Sequence, residues 1–263
     1  MCLLVVAWQH HPDARLIAAG NRDEFHHRPT HAAAFWREHP QLLAGRDLEA
    51  GGTWMGVTRE GRFAAVTNVR EPGQGRGRRS RGELTTDFLA GNMSAADWAH
   101  EVIARGDDYA GFNLLVSDGS SLWYAGNRDP DSPRELEAGI HALSNHLLET
   151  PWPKLLRLRE RFRSALEGPA RPGTLLEILD DRRPAPPERL PDTGLPAEKE
   201  RLLSAPFVVS PEYGTRAATV ILLGGQDRAQ FIERRFDPAG RHNGESPFSF
   251  TLEQRRENRK EAR

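Results

Sequence analysis

Cys2-Leu3-Leu4-Val5-Val6-Ala7-Trp8 and Arg15-Leu16-Ile17-Ala18-Ala19-Gly20-Asn21-Arg22-Asp23-Glu24-Phe25 are two largely apolar runs, separated by the turn-forming stretch His10-His11-Pro12-Asp13. Together they read as a β-hairpin. Neither run alternates cleanly between polar and apolar residues. Strands that are apolar at nearly every position must be covered on both faces, which puts this hairpin in the inner layers of a sandwich with helices outside.

Outward from the hairpin, Thr53 to Thr58 and Arg62 to Val69 flank Arg59-Glu60-Gly61 and predict a second one. Phe112 to Ser117 and Ser121 to Ala125 predict a third across Asp118-Gly119-Ser120. Residues 71–82, rich in Gly and Arg, read as a flexible basic loop. Leu84 to Leu89 is a short helix candidate, and Ser94 with Asp97 three residues on marks the start of a helix running to about Ala104. Gly139 to Asn145 is a further strand candidate. In Pro151 to Leu166, the residues Leu155, Leu158, Phe162 and Leu166 recur at helical spacing. Residues 182–196 are proline-rich and read as a surface excursion. Ala217 to Leu223 and Gln230 to Phe236 predict the last strands. The expected fold class is α+β, with one domain over residues 1–252 and a charged tail over 253–263.

The chain has 263 residues, with 36 Lys+Arg against 37 Asp+Glu and a formal net charge of −1. So balanced a charge leaves no global field for nucleic acid or an anionic membrane, and neither is expected as a partner. The single cysteine forbids an intramolecular disulfide and a cysteine-cluster zinc site. Leu3 to Trp8 and Ala217 to Leu223, the longest apolar runs, are far shorter than the roughly 20 residues of a membrane-spanning helix. The expectation is a soluble, cytoplasmic protein with no transmembrane segment.

The position of that cysteine bears on chemistry. Removal of Met1 would leave Cys2 with both a thiol and a free α-amine. Their reference pKa values, about 8.5 and about 7.7 to 8.0, allow the amine to act as base for the thiol near neutral pH. By position alone, Cys2 is also a small apolar residue opening a buried strand. The polar cluster Asn21-Arg22-Asp23-Glu24 ends the second strand and so lies beside the start of the first. Strand alternation sets Asn21 and Asp23 on one face and Arg22 and Glu24 on the other, unless a bulge intervenes. Asn68, Asn145 and Arg216 also end or interrupt apolar runs. Amides and a fixed cation suit the oxyanion formed when a thiolate attacks a carbonyl; taken singly, each reads first as a turn or capping residue.

Asn21 to Phe25, Gly51-Gly52-Thr53-Trp54-Met55-Gly56, Thr67-Asn68, Ser80-Arg81-Gly82, Leu143-Ser144-Asn145, Thr150-Pro151-Trp152-Pro153-Lys154 and Tyr213-Gly214-Thr215-Arg216 occur in this order along the chain. They resemble the signature blocks of the NRDE family, whose animal members are called transport and Golgi organization 2 proteins. The resemblance implies a four-layer αββα sandwich of Ntn-hydrolase type. In the related cholylglycine and penicillin V acylase branch, an N-terminal Cys attacks a linear amide with help from an Arg and an Asp after the second strand, a later Asn and another Arg. By order and motif Cys2 matches the nucleophile, Asn145 the later Asn and Arg216 the second Arg. That branch has Arg-Asn-x-Asp on the second strand, whereas here Asn21 precedes Arg22 and two acids follow, leaving both Asp23 and Glu24 as the acid that serves the amine.

The resemblance thus implies a cysteine amidohydrolase for a non-peptide linear amide or related acyl compound, with Cys2, Arg22, Asp23, Asn68, Asn145 and Arg216 as its site. It also implies an alternative, non-catalytic binding and trafficking of haem, acyl-lipid or acyl-coenzyme A, since family members are associated with those ligands and function belongs to the site rather than the fold. Arg81 precedes a helix N-terminus, a favourable place for an anion. The histidines His10, His11, His26, His27, His31 and His39 read as surface loop residues without the acid spacing of a metal site. No cofactor or metal is expected.

Overall fold

β1 (Cys2–His11) and β2 (Ala14–Phe25) form the first hairpin and lie inside a six-stranded antiparallel sheet. The computed structural model describes residues 2–73, 75, 77–225 and 227–253. β1 is flanked by β10 (Gly139–Leu143) and β2, and the sheet continues through β11 (Tyr213–Gly225), β12 (Arg228–Phe236) and β13 (His242–Thr251). A seven-stranded antiparallel sheet stacks on it in sequence order: β3 (Thr30–Phe35), β4 (Leu42–Asp47), β5 (Met55–Thr58), β6 (Phe63–Asn68), β7 (Phe112–Ser117), β8 (Leu122–Gly126) and β9 (Arg134–Glu135).

The unbroken apolarity of β1 has a direct structural cause. Leu4, Val6 and Trp8 point between the sheets to meet Met55, Phe63 and Leu115. Leu3, Val5 and Ala7 point outward and are covered by Leu155, Leu158 and Phe162 of α3 (Pro153–Ala165) and Leu175 of α4 (Pro172–Leu179). On the other side, α1 (Arg81–Ala90) and α2 (Ala95–Ala104) cover the second sheet, with Leu84, Phe88 and Trp98 against Ala64, Leu114 and Val116. The result is the expected αββα layering. Each large side chain in these three layers contributes about 1.5–3 kcal/mol by leaving water.

Local chemistry sets the boundaries. Gly61, at φ 80°, and Gly119, at φ 94°, close the two hairpins in a backbone region that residues with a Cβ rarely adopt. Ser94 caps α2 by accepting from the Asp97 N–H at 3.0 Å, as its spacing predicts. α1 starts at Arg81, earlier than the apolar run implies, because Ser80 accepts from the Gly82 N–H at its N-terminus.

Several elements depart from the sequence reading. β3 and β4 occupy a stretch in which the sequence marks no strand, and His31, which reads as a loop residue, lies in β3. A register shift between His31 and Ala34 breaks the alternation by which this strand would be recognised. α4, α5 (Ala197–Leu203) and β13 also escape the pattern; β13 carries only Phe248 and Phe250 against the core, among polar residues and a proline. Beyond Glu253 the charged tail lies outside the described residues, as do Gln74 and Arg76 of the basic loop.

Two contacts bring the sheet ends together around one opening. The Thr67 hydroxyl donates to the Ser144 carbonyl at 2.7 Å, tying β6 to the end of β10 across the two sheets. Gly52 lies so close to the start of α1 that a Cβ there would come within 2.6 Å of the Gly82 carbonyl carbon. Since both partners are backbone, Gly52→Ala is expected to push α1 away from the sheet and destabilise the fold by about 1–3 kcal/mol. Urea unfolding checks this through a lower midpoint with an unchanged slope.

Candidate active site

Register places the site. Cys2 pairs with Arg22, Arg22 with Ala217, and Ala217 with Arg235, forming one cross-strand row over four strands. Directly opposed residues share a face, so this row forms the floor of a cleft between the sheets. The cleft has a volume of about 600 Å³ and is walled by Trp54, Asn68, Asp47 and the Ser80-Arg81-Gly82 turn that opens α1. Between Thr215 and Ala217, β11 carries an extra residue relative to β2. That residue is Arg216; the bulge turns it into the cleft, where Nη1 donates to the carbonyls of Phe25 at 3.0 Å and Arg28 at 2.8 Å.

Cys2 is only 7% exposed. Burial pushes its thiol up, as does the charge of Asp23, while the Arg22 guanidinium and the Asp23 backbone N–H, which points at the sulfur, pull it down. Among the described residues no histidine lines the cleft, so the Cys–His pairing of many thiol enzymes is absent.

Asp23 and Glu24 have separate surroundings. The Asp23 carboxylate is buried and accepts from the Thr215 hydroxyl at 2.7 Å; burial raises its pKa, against the charges of Lys154 and Arg22 and that hydroxyl. Glu24 lies with the arginines, its Oε2 3.8 Å from both Arg22 Nη2 and Arg28 Nε. Asp23 is therefore the acid beside the cysteine. Asn21 takes no part in the cleft: its Nδ2 donates to the carbonyls of Leu179 and Pro206, both at 2.9 Å, tying β2 to the helical layer.

Arg22 is 7% exposed and reaches Asp47 Oδ2 at 3.4 Å. Its Nη1 is buried without a hydrogen-bond partner among the described residues. An unpaired guanidinium N–H on a cleft floor is a ready donor to a bound oxygen. Asn68 ends β6 at the cleft, and among the described residues its own Nδ2 is engaged only at 3.4 Å with the Val69 carbonyl. Asn145 is fully buried one layer behind; its Nδ2 donates to Asn68 Oδ1 at 3.1 Å and to the Asn68 carbonyl at 3.2 Å. The structure thus gathers Cys2, Arg22, Asp23, Asn68 and Arg216 around one cleft and sets Asn145 against Asn68 from behind.

Sequence reasoning left Arg28, Asp47 and Glu233 out of the site because no motif marks them. Asp47 Oδ2 accepts from Arg28 Nε at 2.6 Å, and Glu233 accepts from the Ala33 N–H at 2.9 Å while lining the cleft. Arg81 lines the cleft too, and donates to the Gly111 carbonyl at 3.0 Å. The Ser80-Arg81-Gly82 block at a helix start was the signal for it. Among the described residues no group of three His, Cys, Asp or Glu side chains is placed to hold a metal ion.

The family described as Transport and Golgi organisation 2 matches residues 1–238. The chain belongs to this family. The bovine Transport and Golgi organization protein 2 homolog is 38% identical, over 89% of this chain and 92% of its own length. The human homolog is 35% identical, over 96% of this chain and 100% of its own length. Two solved structures share the fold of this family member. The Caenorhabditis elegans N-acylethanolamine-hydrolyzing acid amidase ortholog superposes with a TM-score of 0.51 at 11% identity, covering 84% of this chain and 92% of that one. A mutant of the conjugated bile acid hydrolase from Clostridium perfringens gives 0.51 at 7% identity, covering 96% and 92%. The architecture is that of the Ntn hydrolases. No described helix is long and apolar enough to cross a membrane.

The arginine network predicts an acid dependence of stability. Burial works to raise the Asp47 carboxyl, but hydrogen bonds from Arg28 and the Ala50 N–H, with the charges of Arg28 and Arg22, hold it below the usual carboxylate range. A carboxylate depressed in the folded state stabilises the fold above its unfolded pKa, about 3.9, and loses that contribution as pH falls through the folded value. Asp47→Asn should lower stability by about 1–3 kcal/mol at pH 7 and flatten the decline below about pH 4. Urea unfolding of both proteins across pH 7 to 3 measures the difference.

Proposed function

We propose that this protein is a cytoplasmic N-terminal-nucleophile cysteine amidohydrolase that cleaves a non-peptide linear amide or a related acyl compound. The observation that carries this reading is the position of Cys2: the first residue of a central strand, in register with Arg22 on the cleft floor and beside the buried carboxylate of Asp23. Support also comes from the amidase and bile acid hydrolase named among the structures that share the fold.

Removal of Met1 would turn the Cys2 backbone nitrogen into an α-amine, with Asp23 as the carboxylate that orients it. The amine takes the thiol proton, and the thiolate attacks the carbonyl carbon. Asn68 and Arg22 Nη1 donate to the resulting oxyanion, while Asn145 holds Asn68 in place. Collapse of the intermediate expels the amine of the substrate, which takes the proton from the Cys2 α-ammonium and leaves a thioester. The α-amine then deprotonates water, whose attack releases the carboxylic acid and restores the thiol. Among the described lining residues arginines outnumber carboxylates, which suits a polar or anionic substrate better than a wholly apolar one.

The second reading is stoichiometric carriage of a haem-like or acyl-lipid ligand in the same cleft. The upward shift of the Cys2 thiol favours it, because a protonated thiol is a poor nucleophile.

Intact mass spectrometry of protein purified with its natural start separates the two. The amidase reading expects loss of Met1, a covalent acyl adduct after exposure to p-nitrophenyl acetate, and no such adduct in Cys2→Ala. Turnover of N-acyl amides by the variant should fall by at least about 10³-fold, the usual scale for removing a nucleophile. Retention of Met1, or full turnover by Cys2→Ala, would refute the mechanism. Ligand binding that survives Cys2→Ala with no adduct on the wild type would establish the carrier.

A further inference from the structure

Beside the main cleft lies a second cavity of about 290 Å³. The two share Asn68, Arg81 and Ala110, and beyond that common wall the smaller one is lined by Val69, Pro72 and Leu195. Its volume is about that of ten waters in the liquid, room for a small polar group and a few bonds of chain.

Arg81 stands where the two cavities meet. Its Nη1 donates to the Gly111 carbonyl at 3.0 Å, and the same oxygen accepts from the Val69 N–H at 2.9 Å. The guanidinium is thereby pinned next to the residue that follows Asn68. One carbonyl does not account for a guanidinium, since any single donor would serve it. The Nε–Nη2 edge of Arg81 has no partner among the described residues, and both nitrogens reach open space.

The other cations around the two cavities are already matched. Among the described residues every other lining arginine except Arg216 has a carboxylate within 4 Å. Arg216 engages its Nη1 with the carbonyls of Phe25 and Arg28. On the wall of the smaller cavity, Arg70 pairs with Glu200 and Glu71 with Arg128, each at 2.6 Å. Arg81 is the cation of that wall with no carboxylate within 4 Å among the described residues. The two parallel N–H groups on its open edge match the two oxygens of a carboxylate.

We propose that Arg81 is a specificity-determining residue: its Nε–Nη2 edge receives a carboxylate that the substrate carries within a few bonds of the scissile carbonyl, and the smaller cavity encloses that end. Asn68, on the same wall, holds the carbonyl oxygen. That the bound acid is a substrate rests on the amidase reading; its capture by Arg81 does not. The carboxylate belongs either to the amine half, as in an N-acyl amino acid, or to the acyl half, as in the monoamide of a dicarboxylic acid.

The test is isothermal titration of the full chain carrying Cys2→Ala, which lacks the nucleophile. N-hexanoylglycine represents the first source and N-hexylsuccinamic acid the second, each compared with its neutral primary amide. In at least one pair the acid should bind at least about tenfold more tightly, the scale of a charge-assisted hydrogen-bonded pair. The pair that shows the preference identifies the half that carries the carboxylate. Arg81→Gln keeps a donor for Gly111 and loses the charge, so the preference should vanish. Arg81→Lys keeps the charge and loses the paired N–H groups, so the preference should shrink. Equal binding of acid and amide in both pairs, or an undiminished preference in a folded Gln or Lys variant, would overturn the proposal. Cleavage of the secondary amide by the chain with Cys2 intact is read separately. Its absence with all four compounds would count against the amidase reading, and the titrations would still decide the role of Arg81.

Discussion

The hydrogen bonding of β1 on both of its edges is the constraint on which the site depends. Chain ends fray unless they are tied down, and a reactive group at residue 2 would ordinarily be mobile. Here Leu4 to Trp8 pair with β10 while Cys2 to Trp8 pair with β2. Apolar layers close over both faces. The thiol is thereby held at the open end of a strand whose next six side chains, Leu3 to Trp8, are buried. From that anchor, register carries the floor of the cleft outward to Arg22, Ala217 and Arg235, and one bulge adds Arg216.

Charge is the second organising element. Toward the mouth, Arg22, Arg28, Glu24, Asp47 and Glu49 form a connected set of ion pairs. Toward the helices, Asp23 and Lys154 are both buried, the first held by the Thr215 hydroxyl and the second by the Asn145 side-chain oxygen. Buried charges contribute little to stability against an apolar alternative, so their placement is better understood as fixing geometry and protonation. The two sets meet at Cys2, whose thiol balances burial and the Asp23 charge against Arg22.

Legibility in the sequence followed the physics of each segment. The hairpin of β1 and β2 could be read because doubly buried strands are apolar throughout. Ser94 and the Asp118-Gly119-Ser120 turn could be read because caps and turns depend on nearby residues. β3 could not, since its edge position and irregular register leave Thr30-His31-Ala32-Ala33-Ala34-Phe35 without a period. β13 has only one face against the core. Lys154 stands in a family-like block, yet its burial leaves no mark in the sequence, because a lysine in a helical pattern ordinarily marks the solvent face. Asn68 and Asn145 looked equivalent, each ending an apolar run, although one lines the cleft and the other stands behind it.

What the sequence by itself determined is the layering and the candidate nucleophile: period and apolarity report how many faces of an element are buried, and a lone cysteine at residue 2 is visible at once. The tertiary structure alone decided which carboxylate lies beside the thiol, which asparagine reaches the cleft, and that Arg28, Asp47 and Glu233 belong around it. Those relations join residues far apart in the chain. They depend on strand register, on the bulge at Arg216 and on the stacking of two sheets, none of which leaves a local period to read.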